Sequence, residues 1–434
     1  MMKNLAAMVL CAGQGTRMKS TRSKMLYELA GKPLCLWSLN LAQELQAKPV
    51  LAILGYQREE VAEILPKLST SVFQEKQLGT GHAVQVAFEK LGDFKGRVLV
   101  LYGDTPLLKL ETLQSLISLS RDSDIAMLTA KVRNPFGYGR IIRDHAGEIK
   151  HIIEERDASD KQKEISEINP GIYVFDSGFL AQNLYKLQAN NQKGEYYLTD
   201  LIAMTQKPIA FLEVPEESIL GVNDLEQLAQ AERILRRRIN AHWMREGVQM
   251  LDHHTTSIDV QVKLDKEVIL EEGVILRGAC KIASGVRIGA YSVLENAQVG
   301  TGCQVGPFAR LRSETILDSN CKIGNFVEVK KSHFKKGSKA NHLAYIGDAK
   351  IGEACNIGAG TITCNYDGVR KHKTQIGDQV FVGSNSTLIA PVHLAEGSYI
   401  AAGSVINQDV PKDALGIGRG RQVNKEGLAK KYRP

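Results

Sequence analysis

The chain has 434 residues, of which 43% are hydrophobic and 24% charged, with a formal net charge of +7. This balance is typical of a folded globular protein with more than one domain and excludes a disordered or low-complexity chain. The small positive charge does not call for nucleic acid, and no apolar run is long enough to span a membrane. We therefore expect small-molecule substrates, no nucleic-acid or membrane partner, and a cytoplasmic location.

The first half alternates strand-like and helical segments. The runs Leu5–Cys11, Pro49–Leu54 and Arg97–Tyr102 are apolar apart from the first residue of the third, as buried parallel strands are. Leu34–Leu45 and Gln57–Leu68 have helical spacing between them. This alternation predicts a Rossmann-like α/β domain with a mostly parallel sheet, whose site lies at the carboxyl ends of its strands.

Two strand ends carry polar residues suited to phosphates and a metal. The first strand runs into Gly13–Arg17, with Lys24 nearby, and such glycine-rich turns let backbone N–H groups approach phosphates. Asp104 follows the strand that ends at Tyr102, and Mg²⁺ takes one or two such oxygens. Gln77–His82 is a second glycine-rich turn, suited to contacts with a base. Taken alone, each feature fits an ordinary turn or helix cap equally well.

A long helix separates the two halves. Leu225 to Glu246 contains no Gly or Pro, and its apolar residues fall three or four apart, which predicts one amphipathic helix. Asn223 or Asp224 can cap its start and Gly247 can end it. We therefore expect a first domain over residues 1–224, a linker helix over 225–247, and a second domain over 248–434 that includes a basic C-terminal tail.

The second half repeats an aliphatic residue every six positions, often followed by Gly. A period of six fits neither an amphipathic helix nor an alternating strand, but it is typical of a parallel β-solenoid. The two longest runs are Val299, Val305, Leu311, Leu317, Ile323 and Val329, and Ile376, Val382, Leu388, Leu394, Ile400 and Ile406.

The six-residue rhythm breaks between Lys330 and Tyr345 and again between Thr363 and Gln375. Segments that leave a rigid scaffold often carry function. A lone His in a loop is more often structural. His342, however, lies among Asn, Tyr and Lys at a break, which favours a general base for acyl transfer to an amine.

Taken together, the motifs resemble those of sugar-phosphate nucleotidyltransferases. With the solenoid, they resemble the bacterial family of bifunctional N-acetylglucosamine-1-phosphate uridyltransferase/glucosamine-1-phosphate acetyltransferases over nearly the whole chain. The resemblance implies a left-handed parallel β-helix for the second half. The motifs that carry it are Leu10–Arg17 with Lys24, Gln77–His82, Tyr102–Asp104, Gly137–Arg140, Glu167–Gly171, Gly194–Asp200 and Gly221–Asn223.

For the first domain, the resemblance implies binding of UTP, a sugar phosphate and Mg²⁺. Asp104 and Asn223 would be the metal ligands, and Lys24 would face the phosphates. Cys11 stands where the family usually has Ala, and Arg22-Ser23 precedes Lys24 where Leu-Pro is common. The full set of implied nucleotide- and sugar-binding residues is Leu10, Cys11, Ala12, Gly13, Arg17, Lys24, Gln74, Gly79, Thr80, Tyr102, Gly103, Asp104, Gly139, Glu154, Asn169 and Asn223.

For the second domain, the resemblance implies acetyl transfer from acetyl-CoA in a homotrimer formed through the β-helix, with His342 as the catalytic base. The implied sugar-phosphate-binding residues are Arg312, Lys330, Tyr345, Asn356 and Lys371. The implied acetyl-CoA-binding residues are Ala359, Asn365, Tyr366, Ser384, Ala402 and Arg419.

Two alternatives stay open at this point. One is a nucleotidyltransferase with a single activity, whose solenoid serves regulation or oligomerisation. The other is a regulatory subunit without activity. A metal site at Asp104 would argue against the regulatory subunit, and a base at His342 would argue against the single activity.

Overall fold

The computed structural model describes residues 4–13 and 15–433. The chain divides into two compact units between Leu235 and Arg236. None of the described helices is long and apolar enough to cross a membrane.

The first unit combines short helices with twelve described strands. Its helices, together with the long helix that follows, are α1 (Leu34–Glu44), α2 (Arg58–Glu63), α3 (Thr80–Glu89), α4 (Leu110–Leu119), α5 (Asp160–Lys163), α6 (Ser177–Asn183) and α7 (Leu225–Arg245). Its strands are β1 (Leu5–Cys11), β2 (Glu28–Leu29), β3 (Lys32–Pro33), β4 (Val50–Leu54), β5 (Ser69–Phe73), β6 (Arg97–Tyr102), β7 (Ile125–Lys131), β8 (Gly139–Arg143), β9 (Ile149–Ile153), β10 (Glu167–Asn169), β11 (Tyr173–Asp176) and β12 (Ala210–Glu213).

The main sheet of this unit has the order β5-β4-β1-β6-β11-β7-β10-β8-β9, with β12 paired to β7. The strands β5, β4, β1 and β6 run parallel, as predicted. The expectation of a mostly parallel sheet needs correction, because β11, β10 and β9 each run antiparallel to their neighbours on this path. A parallel pair needs a long crossover, whereas the short turn between β8 and β9 permits only a hairpin. The sheet is therefore mixed, and the parallel half carries the glycine-rich turns.

The central parallel strands β1 and β4 are buried on both faces, which explains why they are apolar throughout, whereas the edge strand β5 is largely polar. Alternate residues of a strand point to opposite faces. In β1, Val9 and Cys11 pack into one core cluster, while Met8 and Leu10 pack into the other. Because β1 and β6 are packed on both faces, the polar residues that follow them are held in fixed positions.

The helix α7 confirms the predicted helical segment and its caps. Asp224 Oδ1 accepts a hydrogen bond from Gln227 N at 2.8 Å, which is an N-terminal cap. At the other end Gly247 has φ +90°, a left-handed conformation in which glycine lacks the strain of a side chain. Ile239 and Trp243 pack against the core of the second unit.

The second unit is a left-handed parallel β-helix with three faces. The strands of face 1 are Gln249–Met250, Ile269–Leu270, Arg287–Ile288, Gln304–Val305, Lys322–Asn325, Lys339–His342, Asn356–Ile357, Phe381–Val382, Tyr399–Ile400 and Leu415–Gly416. Those of face 2 are Ser257–Ile258, Ile275–Arg277, Val293–Glu295, Arg310–Leu311, Glu328–Lys330, Tyr345–Gly347, Ile362–Cys364, Thr387–Ile389 and Val405–Ile406. Those of face 3 are Lys263–Leu264, Lys281–Ile282, Gln298–Val299, Ile316–Leu317, His333–Phe334, Ala349–Ile351, Thr374–Ile376 and Val392–Leu394.

At the predicted break between Lys330 and Tyr345 the chain stays in the β-helix, and only the spacing of the inward-facing residues changes. Phe334 and Ala340 are fully buried inside the coil. Phe334 follows Val329 by five positions where the repeat has six, so a six-residue count loses the pattern at this point. The expectation of an excursion at this break is wrong.

The predicted break between Thr363 and Gln375 is a real insertion. Face 1 pairs Lys339 with Asn356, 17 residues later, but Asn356 with Phe381, 25 residues later. The extra residues form a loop in which Tyr366 and Lys371 make an isolated antiparallel bridge.

The position of Phe334 gives a stability prediction. Replacing Phe334 with Ala should lower the free energy of unfolding of the second unit by about 3–5 kcal/mol, because a fully buried ring leaves a cavity. Urea unfolding followed by circular dichroism measures this, with the exposed, outward-facing Lys350→Ala as control. If the two variants were equally stable, Phe334 would not be a core residue, and its segment would have to be a surface loop.

Candidate active sites

The carboxyl ends of β1 and β6 open onto a cavity of about 270 Å³ in the first unit. Nine of the predicted nucleotide and sugar residues line it, beside four that the sequence did not single out as site residues: Met25, Gln77, Ala83 and Glu195. Two of these four could have been found from the sequence, because Glu195 lies within the Gly194–Asp200 motif and Gln77 within a glycine-rich turn. The predicted lining residues are Leu10, Ala12, Gly13, Lys24, Gln74, Gly79, Thr80, Tyr102 and Asp104.

Lys24 is held at the wall of this cavity by the glycine-rich turn. A Cβ at Gly15 would lie 2.7 Å from Lys24 Cβ, and Gly15 has φ +64°, so a glycine is needed for this close approach. Ser23 Oγ accepts a bond from Met25 N at 3.4 Å, and the Arg22 guanidinium donates to Leu26 O at 2.7 Å. Arg22 and Ser23 therefore stabilise the turn that presents Lys24, although they differ from the family pattern.

The buried Lys24 ammonium joins the two predicted metal ligands. Its Nζ lies 2.6 Å from Asp104 Oδ2 and 3.1 Å from Asn223 Oδ1. Asp104 O also accepts a hydrogen bond from Val222 N at 2.8 Å, which ties the β6 end to the segment before α7. Two oxygens from distant parts of the chain thus converge on a single positive charge.

Cys11 and Arg17 do not line the cavity. Cys11 Sγ would meet a Cβ placed on Gly103 at 2.6 Å, so the thiol lies beneath that glycine. A hydrogen bond with the Cys35 thiol and then burial raise the pKa of Cys11 well above its usual range, so it remains a neutral thiol. Arg17 is exposed on the 3₁₀ turn Thr16–Met18.

The predicted sugar-binding residues lie close together. A Cβ on Gly139 would meet Glu154 Oε1 at 3.5 Å, and Glu154 Oε1 accepts a hydrogen bond from Thr199 at 3.1 Å. Burial raises the pKa of Glu154 above its usual value. Asn169 Oδ1 accepts a bond from the backbone N–H of Gly171 at 3.0 Å. Sequence reasoning missed Thr199 as the partner that orients Glu154.

In the second unit, cations converge at the edge of face 2. The pKa of Lys330 is lowered, first by the charge of Arg312 and then by that of Lys371. Such mutual repulsion is relieved when an anion binds among the three groups. Arg312 also pairs with Glu328 at 2.8 Å, and Glu328 lies beside Tyr345 of the next coil.

Gly347 makes room for two further predicted residues of this cluster. A Cβ there would lie 2.5 Å from the Tyr345 hydroxyl oxygen and 2.9 Å from Asn365 Nδ2. Asn365 also donates a short hydrogen bond to Asp348. The inserted loop is thereby attached to the face that carries the cations.

His342 ends a strand of face 1, on the other edge of face 2 from the cation cluster. Its Nδ1 lies 2.9 Å from Asn325 Oδ1, an atom that can only accept a hydrogen bond. The bond therefore requires a proton on Nδ1, which leaves the lone pair of the neutral ring on Nε2. Asn325, missed from the sequence, fixes the tautomer that a general base needs.

Four of the six predicted acetyl-CoA residues lie at the corner between faces 1 and 2, in the coils after His342: Ala359, Ser384, Ala402 and Arg419. A Cβ on Gly358 would lie 2.6 Å from Ser384 N, and one on Gly383 would lie 2.5 Å from Ala402 N, so these segments stack in successive coils. Arg419 donates to Ala402 O at 3.0 Å. Ala359 O accepts from Asn385 N at 2.7 Å in the same stack, and Asn356 lies outward between Lys339 and Phe381. Tyr366 is exposed on the inserted loop, away from this column.

Comparison with known proteins identifies the family. Residues 7–167 match the MobA-like NTP transferase domain, and residues 373–408 match the bacterial transferase hexapeptide of six repeats. A protein from Pelobacter propionicus named bifunctional protein GlmU is 46% identical over 451 aligned positions, covering 98% of each chain. The chain belongs to the GlmU family.

Other members of the GlmU family agree along their full length. The bifunctional protein GlmU of Trichlorobacter lovleyi is 45% identical, covering 99% of this chain and 98% of its own, and that of a Synechococcus strain is 44% identical, covering 98% and 99%. The predicted family, the two-part fold and the pair of transferase activities of UDP-N-acetylglucosamine synthesis are confirmed. The alternatives with one activity or none are set aside.

The geometry at Gly347 yields a separable prediction. Gly347→Ala should reduce acetyl transfer by about 10- to 100-fold, because the added methyl displaces Tyr345 or Asn365 by roughly 1 Å. Uridylyl transfer by the same sample is the control and should be unchanged. An unaltered rate of CoA release would mean that these two side chains do not contribute to the site.

Proposed function

We propose that the residues identified above divide the two activities between the predicted domains 1–224 and 248–434, joined by a linker helix over 225–247. The first domain transfers the uridylyl group of UTP to N-acetylglucosamine 1-phosphate. The second acetylates glucosamine 1-phosphate with acetyl-CoA. The observation that carries this proposal is the buried Lys24 ammonium between Asp104 and Asn223, because it supplies the charged centre that a triphosphate reaction requires.

In the first domain, an oxygen of the sugar phosphate attacks the α-phosphorus of UTP and the bond to pyrophosphate breaks. Positioning and charge neutralisation supply most of the rate, so no protein nucleophile is needed. The backbone around Gly13 faces the phosphates, and Glu154 and Asn169 bind sugar hydroxyls. Burial keeps Glu154 oriented by Thr199 instead of by water.

Asp104 and Asn223 are the proposed ligands of Mg²⁺. Their two oxygens already accept bonds from one positive charge, that of Lys24, and carboxylate and amide oxygens suit a hard cation. Bound Mg²⁺ would neutralise triphosphate charge. Lys24 would then give up its bonds to these two oxygens and pair with a substrate phosphate in the cavity that it lines.

The ligand role of Asp104 can be tested without turnover. Asp104→Asn should weaken Mn²⁺ binding in the presence of UTP, measured by electron paramagnetic resonance, and lower uridylyl transfer by about 100-fold or more. Acetyl transfer by the same sample should not change. Wild-type Mn²⁺ affinity in the variant would contradict the assignment.

In the second domain, the glucosamine nitrogen attacks the thioester carbonyl of acetyl-CoA, a C–N bond forms and the C–S bond breaks. His342 Nε2 takes the proton that the nitrogen loses, and the CoA thiolate leaves. Asn325 holds the ring in the tautomer that leaves Nε2 free. Arg312, Lys330 and Lys371 bind the sugar phosphate, and Tyr345 and Asn356 complete the proposed set of sugar-phosphate residues.

The proposed acetyl-CoA site is formed by Ala359, Asn365, Tyr366, Ser384, Ala402 and Arg419. His342 and the cation cluster lie at opposite edges of face 2. Neighbouring copies in a homotrimer would supply the missing wall between them, and hexapeptide domains are compatible with such assembly. UTP and acetyl-CoA are cytoplasmic metabolites, so we place the protein in the cytoplasm.

The base assignment predicts a selective loss. His342→Ala should lower acetyl transfer by about 100- to 10,000-fold, the usual contribution of a general base, and leave pyrophosphate release from UTP intact. The matched control is His393→Ala, an exposed outward residue of face 3. If both activities fell together in the His342 variant, the assignment of two separate sites would fail.

A further inference from the structure

Gln74 lies in the wall of the nucleotide cavity, directly after β5. The residue is 95% buried, and its backbone N–H donates to Leu54 O at 2.9 Å. The same cavity is lined by Lys24 and Asp104, the proposed phosphate and metal residues. Gln74 and the glycine-rich turn after it are therefore available to the base of the nucleotide.

Both hydrogens of the Gln74 amide nitrogen have acceptors. Nε2 lies 3.1 Å from Gly79 O and 3.1 Å from Nδ1 of His82, in the first turn of α3. An amide nitrogen can only donate, so His82 Nδ1 must carry the lone pair and its Nε2 the proton. His82 thus accepts the second hydrogen of the amide.

These two bonds fix which way the amide faces. If the amide were rotated by half a turn, its oxygen would oppose the carbonyl oxygen of Gly79. The Gly79 carbonyl is held in place, because it also accepts a hydrogen bond from Ala83 N at 3.1 Å at the start of α3. Within residues 4–13 and 15–433, no hydrogen-bond donor reaches Gln74 Oε1. The oxygen is left free to accept a bond from a ligand.

A fixed acceptor distinguishes the pyrimidine bases. Uracil carries a hydrogen on N3 between two carbonyls, whereas N3 of cytosine is an acceptor. Against Gln74 Oε1, uracil forms a hydrogen bond and cytosine places two lone pairs in opposition. A site built around a specific hydrogen bond rejects an analogue that cannot make it far more strongly than an apolar pocket does.

We propose that His82 is a positioning residue that sets base selectivity: by accepting the second amide hydrogen of Gln74, it keeps the amide oxygen directed at the base and favours UTP over CTP. His82 need not touch the nucleotide. The inference rests on the proposed uridylyl transfer by the first domain and adds the determinant of base choice.

The test compares three nucleotides in three proteins. Pyrophosphate release with N-acetylglucosamine 1-phosphate is measured for UTP, 5-methyluridine triphosphate and CTP, in wild type, His82→Leu and His82→Asn. Leucine fills most of the ring's space without an acceptor, whereas the Asn side-chain oxygen can replace Nδ1. 5-Methyluridine triphosphate has the same N3 hydrogen as UTP and is the matched control base.

His82→Leu should lower the ratio of kcat/KM for UTP to that for CTP by about 5- to 10-fold, the effect of one hydrogen bond. The loss should appear in KM for UTP and for 5-methyluridine triphosphate, with kcat little changed. His82→Asn should restore most of the ratio. Calorimetric titration with UTP and CTP should give the same order of affinities.

A merely structural role for His82 would lower the rates with all three nucleotides equally and leave the ratio unchanged, which would overturn the inference. An unaltered ratio in a fully active His82→Leu protein would overturn it as well. If wild type releases no pyrophosphate from any of the nucleotides, the proposed uridylyl transfer itself fails. Acetyl transfer by each sample reports whether the chain is intact.

Discussion

The register between successive coils of the β-helix is the constraint on which the second unit depends. Each strand between the two ends of the β-helix pairs with the coil before and the coil after it, and a small or apolar side chain points inward at each step. A missing residue can be absorbed at a corner, as it is before Phe334, but extra residues cannot stay in the ladder. The insertion between Asn356 and Phe381 is therefore expelled as a loop, where it presents Tyr366 and Lys371 beside a rigid face.

The first unit meets a related constraint with a different device. Strands buried on both faces fix the ends of β1 and β6, and a glycine lets Lys24 approach the turn closely. The buried ammonium then needs oxygen partners, because an unpaired charge in the interior is costly. Asp104 and Asn223 provide them. The same requirement that stabilises the protein without ligand assembles the oxygens that a metal and a triphosphate would use.

Much of this was predictable from the sequence. The parallel strands, α7 and the period of six follow from local patterns, and the family resemblance located Asp104 and Asn223. The antiparallel half of the first sheet was not predictable, because β10 and β11, which pair with β7, have only three and four residues and carry no clear period. Asn325 was missed, and His82 was noted only as part of the Gln77–His82 turn, for another reason. The significance of Asn325 lies in a contact with the next coil and that of His82 in a contact with Gln74 across the turn after β5, and no motif encodes a hydrogen-bond tautomer.

The central claim is that two independent transfer reactions occur on one chain. It is tested most directly by following CoA and pyrophosphate separately in purified protein. With glucosamine 1-phosphate and acetyl-CoA but no UTP, CoA should appear without pyrophosphate. With N-acetylglucosamine 1-phosphate and UTP but no acetyl-CoA, pyrophosphate should appear without CoA. Failure of either product to form on its own would contradict the account.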